Sequence, residues 1–153
     1  MKGRDIGEEI LVKQGLLITA VTAAGTGDNT EIDGTTIDRQ ALGSLYESGK
    51  LIVVGNGTVA DGETLSIAAN FQDSADGSSW ADFGTALAAA NVLAPDGESF
   101  TAEAFQTELD VDIRGARRHI RCQVLPDMSA SGTDTSVVGG VIVLGGASEY
   151  PAA

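Results

Sequence analysis

Hydrophobic positions in this chain recur mainly at every second residue, in short runs separated by Gly, Asn and Asp. That period belongs to a strand with one buried face. Residues 63–72 show it best. Leu65, Ile67, Ala69 and Phe71 share one face, while Thr64, Ser66, Ala68, Asn70 and Gln72 form a mostly polar opposite face. The pattern predicts a half-buried antiparallel strand. Residues 100–113 repeat it, with Leu109, Val111 and Ile113 alternating with Glu108, Asp110 and Asp112. Residues 117–125 place Ile120, Cys122 and Val124 inward and His119, Arg121 and Gln123 outward. Further strands are predicted at residues 16–23, at 44–55 with Leu51 to Val54 as its core, and at 137–144.

The segments between these runs carry turn chemistry. Residues 25–34 (GTGDNTEIDG) are acidic and glycine-rich. Asn56-Gly57 and Asp61-Gly62 are turn dipeptides, and residues 73–79 (DSADGSS) read as a hairpin loop with Trp80 and Phe83 starting the return. Residues 85–94 (TALAAANVLA) leave two readings open: Ala and Leu favour a helix, and the short length and Gly/Pro flanks suit a strand. Residues 1–14 form an N-terminal arm, in which Ile6, Ile10 and Leu11 give a weak helical spacing that an extended arm would satisfy equally. The expectation is an all-β protein, a single antiparallel β-sandwich or jelly-roll-like domain over residues 15–153 behind that arm.

Composition supports one globular domain. The chain has 153 residues, 42% hydrophobic and 20% charged, and a domain of about 150 residues buries roughly 68–70% of its unfolded surface without needing disulfides or metals. Nine basic against twenty-two acidic side chains leave a net charge of −13. This argues against nucleic acid or an anionic membrane as partner, since both are bound through clustered cations. The charged start lacks the apolar run of an export signal, and no stretch has the ~20 apolar residues of a membrane-spanning helix. A soluble protein made in a reducing cytoplasm is expected.

The residue inventory offers little to catalysis. The lone His119 stands among Arg117, Arg118 and Arg121, whose positive field disfavours the imidazolium that a general base must become. No G-x-S-x-G elbow or phosphate loop is present. The lone Cys122 reads as a small core residue. Asp73 and Asp76 resemble part of a calcium loop but lack its remaining ligands, and a solvated hairpin is the better reading. Trp80, the single tryptophan, is expected in the core. No catalytic residue, metal site or cofactor is assigned. The outstanding feature is Arg114, Arg117, Arg118 and Arg121, four of the six arginines within eight residues, directly after the acidic run Glu108, Asp110 and Asp112. Arginine favours protein interfaces and pairs bidentately with carboxylates. Arg114, Arg117, Arg118, His119 and Arg121 are therefore the candidate protein–protein interface, suited to self-association.

Several ordered motifs resemble a known family: GNGTVADGETLSI (residues 55–67), FQDSADGSSWADF (71–83), IRGARRHIRCQV (113–124) and VVGGVIVLGGASEYP (137–151). Together they are similar to the capsid decoration, or cement, proteins of tailed bacteriophages and related gene-transfer particles. The chain departs in its longer alanine-rich segment 85–94 and in having His119 where an aromatic is expected. The resemblance implies a non-enzymatic virion protein made in a bacterial host, a homotrimer or monomer on the outer capsid surface that bridges capsomers and has the major capsid protein as its partner. The competing readings are a phage tail or head–tail structural protein and a carbohydrate-binding β-sandwich module. The scarcity of aromatic residues disfavours the latter.

Overall fold

The computed structural model describes residues 6–130 and 132–147, so the first five residues of the expected arm lie outside the described residues. A four-residue helix, α1 (Ile6–Glu9), leads into β1 (Leu11–Thr22). There follow β2 (Ile32–Asp33), β3 (Ile37–Asp38), a 3-10 turn (Arg39–Leu42), β4 (Ser48–Val59), β5 (Leu65–Ser74), β6 (Ala81–Leu93), β7 (Phe100–Asp112), β8 (His119–Met128) and β9 (Thr135–Gly145). One antiparallel sheet has the order β1-β9-β4-β7. The other runs from β2 and β3, both paired with β8, through β5 to β6. The protein is an all-β, jelly-roll-like sandwich of two antiparallel sheets. None of the described helices is long and apolar enough to cross a membrane.

Alternation places the core. In β5 every second residue from Leu65 to Phe71 is buried, and β8 answers with Ile120, Cys122 and Val124. The facing sheet contributes Leu16, Leu51, Val53, Leu109, Val138, Ile142 and Leu144 to the same cluster. Each such side chain gains about 1.5–3 kcal/mol from leaving water. Residues 85–93 belong to β6, and Ala94 follows it. Pairing with β5 outweighs alanine's helix propensity there, at the expense of three register irregularities.

The structure revises several expectations. β1 begins at Leu11 and takes in residues 11–14 of the expected arm, because they pair with Leu144 to Val141. Asn56-Gly57 makes no turn: it lies inside β4, hydrogen-bonded to β7 and β9 on either side. A short strand, β2, occupies ground read as loop, and β3 lies where no element was expected. Trp80 is not in the core but half-buried at the surface, with the Arg121 guanidinium 4.4 Å above its ring.

Gly55, in β4, is required by its neighbours. A Cβ there would collide with the Val137 carbonyl oxygen and come within 2.6 Å of the Phe105 ring. Gly55→Ala is expected to cost about 2–3 kcal/mol as an overpacking change and to lower Tm by roughly 5–10 °C. Thermal unfolding followed by circular dichroism checks this, and an unchanged Tm would contradict the packing described.

Candidate interaction surfaces

The arginine cluster lies on the β7–β8 connection and the start of β8. Each of its four arginines meets an aspartate of the same chain. Arg114 forks onto Asp112 through Nε and Nη2. Arg118 forks onto Asp38, with Nε donating at 3.0 Å and Nη2 at 2.6 Å. Arg121 donates to Asp33 at 2.8 Å and, through Nε and Nη2, to the Gln72 side-chain oxygen. Arg117 is held least: its backbone N–H donates to Asp73 at 2.8 Å, while its guanidinium Nε stands 3.8 Å from that carboxylate. The hydrogen bond from Arg118 is the main reason the Asp38 carboxyl is held down to about 2, and Arg114 does the same for Asp112.

Arg121 and the neighbouring candidate His119 are less exposed than strand alternation implied. Only 16% of the Arg121 side chain and 15% of the His119 side chain are accessible. Gly77 lies over the imidazole, and Nε2 is 4.0 Å from Asp38. The structure brings Arg117 and Arg118 together with a residue that sequence reasoning missed, Arg39. It is buried, and its Nη groups donate to the carbonyls of Ala116, Arg117 and Tyr46. Burial lowers its pKa, partly offset by Asp73. These three arginines, with Gln40, Leu45 and Ala116, line a cleft of about 580 Å³. No sequence signal ties Arg39 to residues almost eighty positions away.

The two outer sheet faces differ in chemistry. On the β5–β8 sheet the outer face is a polar network. Asn70 and Gln72 both donate to Asp82, and Gln123 donates to Asp33 at 2.7 Å. The outer face of the β1-β9-β4-β7 sheet carries an apolar patch over β1, β9 and β4. Eight large hydrophobic side chains are exposed among the described residues, and six of them (Val12, Leu17, Ile18, Val54, Val137 and Val141) lie on β1, β4 and β9. Strand register makes them neighbours: Val12 opposes Val143, Val141 opposes Ile52, and Gly139 opposes Val54. A bulge in β1 between Leu16 and Thr19 turns Ile18 out, 81% exposed, across Gly139. Isolated exposed apolar residues need no explanation, whereas a contiguous patch is a candidate contact surface. Val137 to Leu144 is apolar at both strand parities, which is the sequence signal for this face.

Beside β7 the face becomes charged. Lys50 Nζ lies 2.5 Å from Glu108 and 2.9 Å from Asp110. A cleft of about 720 Å³ at that end is lined by Ile10, Glu47, Lys50, Asp110, Asp112 and Arg114 among others.

Elsewhere the chemistry is already committed. Asp76 caps its own turn, accepting from the Ser78 and Ser79 N–H groups at 2.9 Å, while Asp73 is turned toward Arg117. Among the described residues no group of three or more His, Cys, Asp or Glu side chains could hold a metal ion. Cys122 is buried, which pushes its thiol up to about 12.

The architecture thus defines a class, the two-sheet antiparallel β-sandwich. No protein-family model and no curated protein matches the chain. Among solved structures it is similar to the PBSX exported protein XepA, with a TM-score of 0.48 and 17% identity over 94% of this chain and 39% of that one. It is also similar to VP2 of an infectious bursal disease virus subviral particle, with a TM-score of 0.44 and 11% identity over 93% of this chain and 34% of that one. The chain therefore spans about two-fifths or less of these proteins' length. At such identities the likeness carries no argument about function.

The Arg118–Asp38 pair yields a pH prediction. Asp38 has a lowered folded-state pKa, so its contribution to stability is present above the ordinary 3.8 and is lost as pH falls toward about 2. In an NMR carboxyl titration Asp38 is expected to titrate near 2 in the native chain and at a higher pH, shifted toward the ordinary value, in Arg118→Gln. An unchanged midpoint in the variant would contradict the pairing.

Proposed function

We propose that this chain is a structural virion protein that binds the outer surface of an icosahedral phage capsid and stabilises it by bridging capsomers, with the major capsid protein as partner and without catalysis. The observation that carries this reading is the apolar outer face of the β1-β9-β4-β7 sheet, left open on a chain of net charge −13. High net charge keeps such a protein soluble before assembly. The apolar face then supplies the contact, and many equivalent contacts on one shell combine by multivalency. The motifs that resemble capsid decoration proteins point the same way.

Self-association as a homotrimer belongs to this proposal. Arg117, whose guanidinium has the loosest ion pair of the cluster, borders the cleft with Arg118 and Arg39. A carboxylate from a neighbouring copy would suit that cleft, and a head-to-tail contact of this kind closes into a ring when the rotation between copies is one-third of a turn. The apolar face remains available to the shell.

Co-sedimentation of the purified protein with intact expanded capsids lacking it tests the reading. Saturation at a fixed copy number per capsomer or three-fold position is expected, with greater heat resistance of the shells. The Arg117→Glu/Arg118→Glu variant is expected to sediment as a monomer and to bind with fewer copies. Absence of binding by the native chain would remove the decoration role, and unchanged self-association in the variant would remove the arginine contact.

A further inference from the structure

The apolar face and the acidic cleft at its end form one continuous surface. Val143, the last outward residue of β9 before the cleft, opposes both Val12 and Lys50 and itself lines the cleft. Ile10 closes the cleft on the side away from β7, reaching toward Gly145. Three carboxylates, Glu47, Asp110 and Asp112, and two cations, Lys50 and Arg114, line the cleft, and a fourth carboxylate, Glu108, is paired with Lys50 beside it. The two cations leave an excess of two negative charges. Lys50 is shared between Glu108 and Asp110, and the Asp110 side chain is 75% exposed.

From this geometry we infer that the surface docks an extended apolar segment of a partner protein that ends in a lysine or arginine, its apolar residues lying over Ile18, Val54 and Val141 and its cation entering the cleft beside Asp110. Four strands about 4.8 Å apart and about ten residues long present roughly 650 Å², slightly below the ~800 Å² per partner of an ordinary stable interface. That size suits a segment contributing one weak contact among many. A second copy of this chain is the poorer occupant, because it brings the same net charge of −13 against an already acidic border. An anionic membrane surface is disfavoured on the same ground.

This inference shares with the proposed function only the use of this face for docking, and it is testable without a capsid. The probes are two fluorescein-labelled ten-residue peptides of alternating valine and threonine, one closing in Lys-Lys and the other in Glu-Glu, titrated with the full chain by fluorescence anisotropy. The lysine peptide is expected to bind at least about tenfold more tightly, which corresponds to ~1.4 kcal/mol. That preference is expected to collapse in Asp110→Lys and at high salt, while Val54→Asp weakens both peptides. Equal binding of the two peptides by the native chain, or none by the lysine peptide at about 1 mM, would overturn the inference irrespective of how any variant folds. Sedimentation velocity covers the other occupant: an oligomer that Val54→Asp converts to monomers would assign the face to a second copy and overturn the inference. Peptide binding without shell binding would leave the inference standing and remove the decoration role. Shell binding with no peptide preference would do the reverse.

Discussion

Two stacked sheets hold together only if every long strand presents apolar side chains to the space between them, and Phe71, Leu51, Ile67 and Ile142 are fully buried there. The free energy of that burial is opposed by the backbone and side-chain entropy of ordering the strands, so register cannot drift. A slip of one residue in β5 would exchange Leu65, Ile67 and Phe71 for Ser66, Ala68 and Gln72. Glycines enforce the same register from the backbone side. Gly55 leaves room for the Phe105 ring, and Gly140 lies where a Cβ would be 3.0 Å from the Ile52 carbonyl oxygen.

With the interior settled, the two outer faces are free to differ. On one, Gln72, Asn70, Gln123, Asp82, Asp33 and Arg121 satisfy one another, so that surface has little unsatisfied capacity for a partner. On the other, exposed Val12, Leu17, Ile18, Val54, Val137 and Val141 of β1, β4 and β9 back onto a buried apolar set, with Lys50, Asn56 and Thr58 among the outward residues. The charged residues follow the same division of labour. Arg114, Arg117, Arg118 and Arg121 each meet an aspartate across a turn or strand pair, whereas Glu108 and Asp110 of β7 share one lysine and leave excess charge at the border of the apolar face. Exposed ion pairs add little stability individually, so their role here is to tie the β7–β8 connection to β3 and β5.

Where alternation was strict, as in β5, β7 and β8, strands and buried residues were legible in the chain. The 85–94 segment was not, because its alanines satisfy helix and strand alike until β5 offers a hydrogen-bonding edge. Asn56-Gly57 has turn chemistry, yet it is held extended by partners on both flanks, a tertiary effect that no local signal encodes. Trp80 illustrates the same gap: its size suggested the core, but Arg121 covers it at the surface. The arginine cluster could be seen in the chain, whereas its individual aspartates, drawn from residues 33 to 112, could not. The apolar face was half visible in Val137 to Leu144 and became a surface only once β1 and β4 were placed beside it.

We propose the outer face of the β1-β9-β4-β7 sheet as the contact surface. Hydrogen–deuterium exchange of the full chain, free and in the presence of saturating expanded capsids, tests it most directly. Added protection is expected in β1, β9 and β4, with exchange unchanged in β5 and β8. Protection confined to β5, β6 and β8 would contradict it.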